Sequence, residues 1–460
     1  MTNNTRENFS SKLGAVLAAA GSAVGLGNIW RFPIETGQNG GAAFIIIYIA
    51  CVFLLGIPIM MSEFFIGRHT HTNTAGAYRK LAPNTQWKWV GRLGVLSGFV
   101  ILSYYSVVAG WTAEYTRLAI CNAFDGKNAT DFPSIFNTFV SNPWKSVSWM
   151  LAFMIVTHII VIRGVKGGIE KFSKIMMPAL FVILIVLAVC SVMLPRASKG
   201  LEFMLKPDFS KITASAWLSA MGQAFFSLSL GLGCLCTYGS YFRSDTNIGK
   251  TALNVAIIDT FVAIMSGFII FPAVFNAGYA ISSNDIGPSL LFITMPNVFQ
   301  QAFGSIPLLS YAVSVLFYFL LVVAALTSTI SMHEVVTAYV SEEFAMNRRK
   351  AAAIVTITCS AVGLLCALSF GPFSEFKLLG MTIFDFFDYV SSNLMLPIGG
   401  MFISLFAGWY LDKHLLRDEI TNHGTLRVPY LRMVIFILRY LAPIAIAIIL
   451  LNQLGLFHRG

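Results

Sequence analysis

The sequence predicts an all-α polytopic membrane protein of eleven spans, and three observations carry that prediction. Of its 460 residues, 56% are hydrophobic and 11% charged, against about 25% charged in an ordinary soluble domain. The mean hydropathy is +0.73. Apolar runs of ~20 residues, enough to cross a bilayer, recur along the chain with no polar stretch longer than about 35 residues between them. This composition excludes a soluble enzyme, a disordered regulator and a nucleic-acid-binding protein. It leaves no room for an ATPase or an extramembrane receptor domain. The net charge of +10 reflects the placement of loops rather than an anionic partner.

Bounded by charges or Gly/Pro/Asn clusters, the runs fall at 12–35, 41–67, 90–123, 145–163, 170–194, 214–241, 247–281, 301–341, 350–370, 377–411 and 430–452. They are numbered spans 1 to 11. Asn28 and Arg31 lie inside the first, which marks it as a retained span rather than a cleaved leader. With the N-terminus in the cytoplasm, twenty of the 31 Lys and Arg residues fall on the cytoplasmic side and nine on the other, four of them in the loop 196–211. This bias predicts an N-terminus inside and, the span number being odd, a C-terminus on the extracellular or periplasmic side. The seven cysteines, 51, 121, 190, 234, 236, 359 and 366, are odd in number and sit in or at the ends of spans, so they read as small buried hydrophobes. His69 and His71, two apart in a basic loop, read as solvated, and His158 as a hydrogen-bonded helix residue.

Span 1 carries Gly21, Gly25 and Gly27 within seven residues, followed by Asn28, Arg31 and Pro33. Backbone broken at that depth survives only where protein or a water-filled cavity satisfies it. Span 6 repeats the device in Ser227-Leu228-Ser229-Leu230-Gly231-Leu232-Gly233. The two interruptions fall in the first span of each set of five, spans 1–5 and 6–10. Paired Gly-interrupted segments in corresponding positions of two halves point to the binding site of a secondary transporter. Half-helix N-termini present free N–H groups suited to a carboxylate, and unwound carbonyls suit Na⁺.

The run Gly21 to Pro33, followed by Asn39-Gly40-Gly41-Ala42-Ala43-Phe44, resembles the first-helix signature of the neurotransmitter:sodium symporter family. The resemblance continues through Tyr104-Tyr105 and Trp111, Gln223 to Gly233, and Ala324-Ala325-Leu326-Thr327-Ser328. It implies the LeuT fold: two inverted five-helix repeats plus one extra helix. The chain then divides into a cytoplasmic N-terminal segment (1–11), a first repeat (12–195), an extracellular loop (196–213), a second repeat (214–411), and a last portion (412–460) holding a cytoplasmic loop, span 11 and a short tail.

The resemblance also implies site residues. One sodium site would use the Ala23 carbonyl, the side chains of Asn28, Ser227 and Asp259, and the substrate carboxylate. A second would use the carbonyls of Gly21, Val24 and Ala324 with the hydroxyls of Thr327 and Ser328. The substrate pocket would be formed from Ser22, Ala23, Gly25, Leu26, Gly27, Ile101, Tyr105, Phe226, Ser227, Ser229, Leu232, Ser328 and Met332. Monoamine carriers of the family have an Asp where this chain has Gly25, so the substrate should bring its own carboxylate. The apolar lining suits a large aliphatic or aromatic L-amino acid. Arg31 with Asp388, or with its rival Asp385, would gate the outer side over Tyr105 and Phe226. Arg6 with Glu342, near Phe9 and Tyr241, would gate the inner side.

Asp259 stands where Asn is commonest in the family, and Ala263, one turn on, stands where chloride-dependent members carry Ser. The expectation is a symporter with two Na⁺ and no chloride requirement, Asp259 supplying the negative charge. Rival readings are a carrier of small aliphatic or imino acids, and a sodium-dependent amino-acid sensor or channel on the same scaffold. An enzyme is not expected, since no HExxH, nucleophile elbow or catalytic His/Asp/Ser arrangement is present.

Overall fold

The computed structural model describes residues 7–278 and 289–453. Polar residues just ahead of the apolar runs set the helix starts. Ser11, Asn142, Thr213, Asn247, Asn347 and Thr382 each accept a hydrogen bond from a backbone N–H three residues on, satisfying one of the donors that a helix N-terminus leaves free. Among the described residues, nine helices are long and apolar enough to cross a membrane. They are Ala42–Thr70, Lys88–Ile120, Pro143–Val161, Val165–Val192, Ile248–Asn276, Pro307–Glu343, Arg348–Leu368, Ile383–Tyr410 and Leu431–Gln453, corresponding to spans 2–5 and 7–11.

The remaining two runs are broken. Span 1 consists of Lys12–Ala23 and Gly27–Gln38, bent by 56°. Span 6 consists of Ala214–Ser227 and Cys234–Gly239, separated by a segment in which Ser229, Gly231 and Gly233 all have positive φ. Two glycines supply that conformation without a Cβ clash; Ser229 adopts it at φ 53°.

Several boundaries differ from the sequence reading. Span 8 starts at Pro307, not at 301, because 301–303 close a separate helix, Met295–Phe303. Span 10 starts at Ile383, not at 377, because residues 378 and 381 pair in a small β-bridge. Span 5 extends back to Val165 through a π-helical turn, Val165–Glu170. Short helices also occupy loops, including Thr74–Leu81, Asp131–Ser141, Ala197–Leu205 and Lys413–Ile420.

The first half of span 1 lies against spans 5, 7 and 8, while span 8 runs along span 3. The broken spans are thus enclosed by intact ones, which supply the polar partners that lipid cannot. Small residues allow the closest approaches. A Cβ on Gly67 would stand 1.9 Å from the Cys236 carbonyl oxygen, and one on Gly110 would stand 2.6 Å from the Met150 nitrogen.

Two of the sequence readings are corrected. His69 and His71 are not merely solvated: His69 Nδ1 lies 3.0 Å from Glu419, and His71 Nδ1 lies 3.1 Å from the Ser240 carbonyl. Glu419 also receives Arg68, which is buried and in addition donates to the carbonyls of Thr246 and Glu419. Burial alone would push the Glu419 carboxyl up, but the His69 hydrogen bond and the Arg68 charge outweigh it and hold it below its usual value. Of the cysteines, all free, five are buried, whereas Cys190 is half-buried and Cys121 exposed.

Gly67→Ala should cost about 1–3 kcal/mol through overpacking, read as a lowered Tm in detergent, while Gly167→Ala, with nothing within 4 Å of its Cβ, should not. The depressed Glu419 carboxyl contributes stability that is present above pH 4.5, the ordinary value for this group, and is lost as pH falls through the lower folded value. Melting curves from pH 7 to 3 should record that loss, and Glu419→Gln should flatten it.

Candidate functional site

The two backbone breaks meet at the centre of the bundle, where residues 24–26 of span 1 face the 228–233 segment of span 6. Asn28 organises the junction. Its side-chain oxygen accepts from the Gly25 N–H at 2.9 Å, reaching back across the break. Its amide nitrogen donates to Ser227 Oγ at 2.9 Å and to Asp259 Oδ1 at 2.7 Å. Ser227 donates in turn to Asp259 Oδ2 at 2.7 Å. Asp259, in span 7, is fully buried. Three oxygen-bearing side chains from three spans therefore converge beside the Ala23 end of the first half-helix.

A second convergence joins spans 1 and 8. Thr327 Oγ1 donates to the carbonyls of Val24 at 3.3 Å and Ala324 at 2.9 Å, and Ser328 Oγ donates to Val24 at 3.2 Å. A Cβ on Gly21 would touch the Thr327 side chain at 3.5 Å. The second cluster offers only oxygens, and the first offers the oxygens of Ser227 and Asp259 beside the Asn28 amide; oxygen ligands of this kind suit a hard cation and not a thiolate- or imidazole-seeking metal. Among the described residues no group of three or more His, Cys, Asp and Glu could hold a metal.

Between the clusters lies a small cavity. Ser22, Ala23, Gly25, Leu26, Gly27, Ile101, Tyr105, Phe226, Ser227, Ser229, Leu232, Ser328 and Met332 all line it, together with Asn28 and Leu396. The Tyr105 hydroxyl accepts from the Leu26 N–H at 3.2 Å, and Ser229 Oγ donates to the Ser22 carbonyl at 3.1 Å. The position of Gly25 is crowded: a Cβ there would stand 2.5 Å from Ser328 Oγ and 3.3 Å from the Tyr105 hydroxyl. Leu396, from span 10, has no sequence signal to distinguish it from any other apolar span residue.

Three buried residues of this region were given no site role by the sequence, although Gln223 opens the run Gln223 to Gly233 that carries the resemblance. Tyr48 approaches Asp259 Oδ2 at 3.3 Å. Glu63, fully buried in span 2, accepts the Gly231 N–H at 2.9 Å through Oε1. Gln223 donates to the Gly27 carbonyl at 3.4 Å. A carboxylate inside an apolar run is itself a signal, so Glu63 was detectable; Tyr48 was not, and Gln223 stood in the quoted family run without a role.

Phe226 covers one end of the cavity. The Arg31 guanidinium lies 4.6 Å above its ring, and a second cavity of ≈ 290 Å³ opens beyond, lined by both Arg31 and Asp388. The expected Arg31–Asp388 ion pair is not formed. Arg31 instead approaches Glu35 at 3.9 Å, one turn along its own helix, and Asp388 accepts from Ser392 at 3.1 Å. Asp385 is held by Thr382 Oγ1 at 2.7 Å as part of the span 10 cap, which removes it as the rival partner in this structure.

At the opposite end Phe9 is buried edge-on against Tyr238 and Tyr241, and its N–H donates to the Tyr241 carbonyl at 3.0 Å. Glu342 accepts from the Asn73 N–H at 2.7 Å and from its side chain at 2.9 Å. Arg6 lies outside the described residues. Here too the structure adds residues that the sequence reading missed. Glu334 is fully buried, receives the Tyr241 hydroxyl at 2.6 Å, and is held by both terminal nitrogens of Arg348 at 3.0 and 2.5 Å.

Residues 6–131 and 137–458 match the sodium:neurotransmitter symporter family. The uncharacterised sodium-dependent transporter YhdH of Bacillus subtilis is 38% identical over 97% of this chain and 98% of its own length. An uncharacterised sodium-dependent transporter of Haemophilus influenzae is 32% identical over 98% and 99%. The crystal structure of MhsT in complex with L-phenylalanine superposes with a TM-score of 0.88 at 43% identity, covering 97% of this chain and 100% of that one. The architecture is accordingly that of the LeuT fold.

Removing one partner of a buried ion pair costs more than removing both, about 3–5 kcal/mol for the single change. Arg348→Gln should therefore lower Tm in detergent more than the double variant Glu334→Gln/Arg348→Gln does, and a double-mutant cycle measures the difference.

Proposed function

The chain belongs to the sodium:neurotransmitter symporter family and is a sodium-coupled secondary transporter, not an enzyme; we propose that it carries a hydrophobic, large aliphatic or aromatic, L-amino acid inward with two Na⁺ and without chloride. The observation that carries this reading is the cavity itself. It is bounded by two oxygen clusters, by apolar side chains such as Ile101, Leu232 and Met332, and by Gly25 where a carboxylate would otherwise meet an amine. The substrate carboxylate would lie at the start of the second half-helix, near the Tyr105 hydroxyl, where the positive dipole end favours an anion. The same carboxylate would complete the ligands of the sodium at Asn28, Ser227 and Asp259, which couples substrate and ion directly. The second sodium, at Gly21, Val24, Ala324, Thr327 and Ser328, would hold spans 1 and 8 together until it leaves. MhsT, whose structure contains L-phenylalanine, supports an aromatic cargo.

Coupling requires that sodium bind one conformation of the carrier better than the other. Each positive charge moved down 100 mV releases about 2.3 kcal/mol, so two ions and their concentration gradient can sustain accumulation of a zwitterion by several powers of ten. Arg31, Phe226 and Asp388 would serve as the outer gate, and Phe9, Tyr241, Glu342 and Arg6 as the inner one. The charge asymmetry of the loops favours a cytoplasmic N-terminus.

Uptake of radiolabelled L-amino acids into proteoliposomes tests the reading. Accumulation of a few hydrophobic amino acids under an inward Na⁺ gradient, unchanged when gluconate replaces chloride, is expected. Sodium-dependent binding without accumulation would favour a sensor, and preference for glycine, alanine or proline would favour the small-substrate alternative. Asp259→Asn should raise the sodium concentration for half-maximal uptake by about tenfold, because cation affinity follows ligand charge. If the role of its charge is as proposed, residual uptake by that variant should respond to chloride. Gly25→Ala should depress uptake by crowding Ser328 and Tyr105, read as a raised KM.

A further inference from the structure

A large apolar groove lies outside the transport site. A groove of ≈ 640 Å³ runs between the start of span 3 and the end of span 10, on the N-terminal side of the bundle. Trp87, Val90, Leu93 and Leu96 of span 3 and Phe402 of span 10 form its walls, with Gln86 and Arg92 at its edge. Trp87 packs on Phe402, Phe406 and Tyr410 and fixes the floor. Trp89, Leu96 and Phe402 are exposed at 57%, 51% and 38%, so the groove opens sideways.

Depth identifies the solvent it faces. Leu96 is eight residues inside span 3 from Lys88, and Phe402 is eight residues inside span 10 from Tyr410, so at ~1.5 Å per residue both lie about 12 Å below the same surface. The groove thus descends from headgroup level into the hydrocarbon of one leaflet. The paired Trp87 and Trp89 belong at such an interface. An apolar trough of this size, within the range of about 300–1,000 Å³ that accommodates small amphiphiles, matches an acyl chain better than any water-soluble ligand.

The rim carries a positive charge. Arg92 stacks on Trp89 with its guanidinium 4.8 Å from the ring and makes no hydrogen bond or ion pair among the described residues. Glu343 feels its charge, but both oxygens of that carboxylate are already taken by Arg79, at 2.8 Å each. Trp89 Nε1 donates to Gln86 Oε1 at 3.1 Å, leaving the Gln86 amide NH₂ as a second donor at the same rim. An anion seated there would meet a guanidinium with free N–H groups, which match a phosphate.

We propose that this groove is a binding site for an anionic phospholipid, its acyl chain along Val90, Leu93, Leu96 and Phe402 and its phosphate on Arg92 and Gln86. A site of this kind selects by headgroup charge, which sets it apart from the ring of lipid that coats any membrane protein.

The test is quenching of Trp89 fluorescence in proteoliposomes by phospholipids with brominated acyl chains, the Trp89 contribution being obtained by difference from Trp89→Phe. Brominated phosphatidylglycerol in a phosphatidylcholine bilayer should quench at about fivefold lower mole fraction than brominated phosphatidylcholine does, the preference that one basic residue near an anionic surface supplies. Arg92→Gln should abolish the preference while leaving quenching by phosphatidylcholine intact, and Arg92→Lys should keep most of it. Equal quenching by the two lipids in the wild type would overturn the proposal and reduce the groove to ordinary lipid contact. Quenching by neither, with a dimer by mass in mild detergent, would also overturn it, because a second copy of the chain would then cover the face.

Discussion

Hydrocarbon offers no hydrogen bonds, and most of this structure can be understood as an answer to that constraint. Breaking spans 1 and 6 frees backbone N–H and C=O groups at mid-membrane, each costing several kcal/mol if left unmet. The surrounding spans meet them one by one. Asn28 takes the Gly25 N–H, Tyr105 the Leu26 N–H, Glu63 the Gly231 N–H, Thr74 the Gly233 carbonyl, and Thr327 and Ser328 the Val24 carbonyl. Every one of those partners comes from an element whose own backbone is intact, except Asn28, which reaches back from its own half-helix to the break before it. Asn28, Tyr105 and Ser328 also line the cavity, so at those three positions fold stability and ligand binding draw on the same side chains.

The same constraint explains which parts of the fold were legible in the sequence. Eleven apolar runs and two glycine-rich interruptions stand out because the bilayer demands them. The misplaced starts of spans 8 and 10 have the opposite cause. Residues 301–303 and 377–382 are apolar enough to extend a run, and only the separate helix Met295–Phe303 and the bridge between Leu378 and Met381 reveal that the span begins later. Hydropathy registers burial, not the identity of the element that does the burying.

Legibility of the site divides along a similar line. Residues in the broken segments announce themselves by composition, and the family resemblance drew in Ile101, Tyr105 and Met332 from intact helices, and Phe226 from the edge of the break in span 6. Tyr48 and Leu396 are visible only once helices are docked, because nothing in a local window separates them from packing residues. Glu334 and Arg348 lie fourteen residues apart across a helix break, so their bidentate pairing is a property of the turn between spans 8 and 9 and not of either run. Arg31 illustrates the remaining difficulty. Its charge was evident at once, but the choice among Glu35, Asp385 and Asp388 depends on side-chain reach and on which carboxylate already serves as a cap.

Phe226 lines both the central cavity and the outer one, and this single shared wall has a steric consequence. A ring has no hollow interior, so room gained on one side is room surrendered on the other. A cargo whose side chain displaces Phe226 outward must shrink the chamber beneath Arg31 and Asp388, and anything wedged in that chamber must press the ring inward. The two compartments therefore behave as communicating volumes with a fixed total, and bulk in one is felt as pressure in the other without any helix having to move.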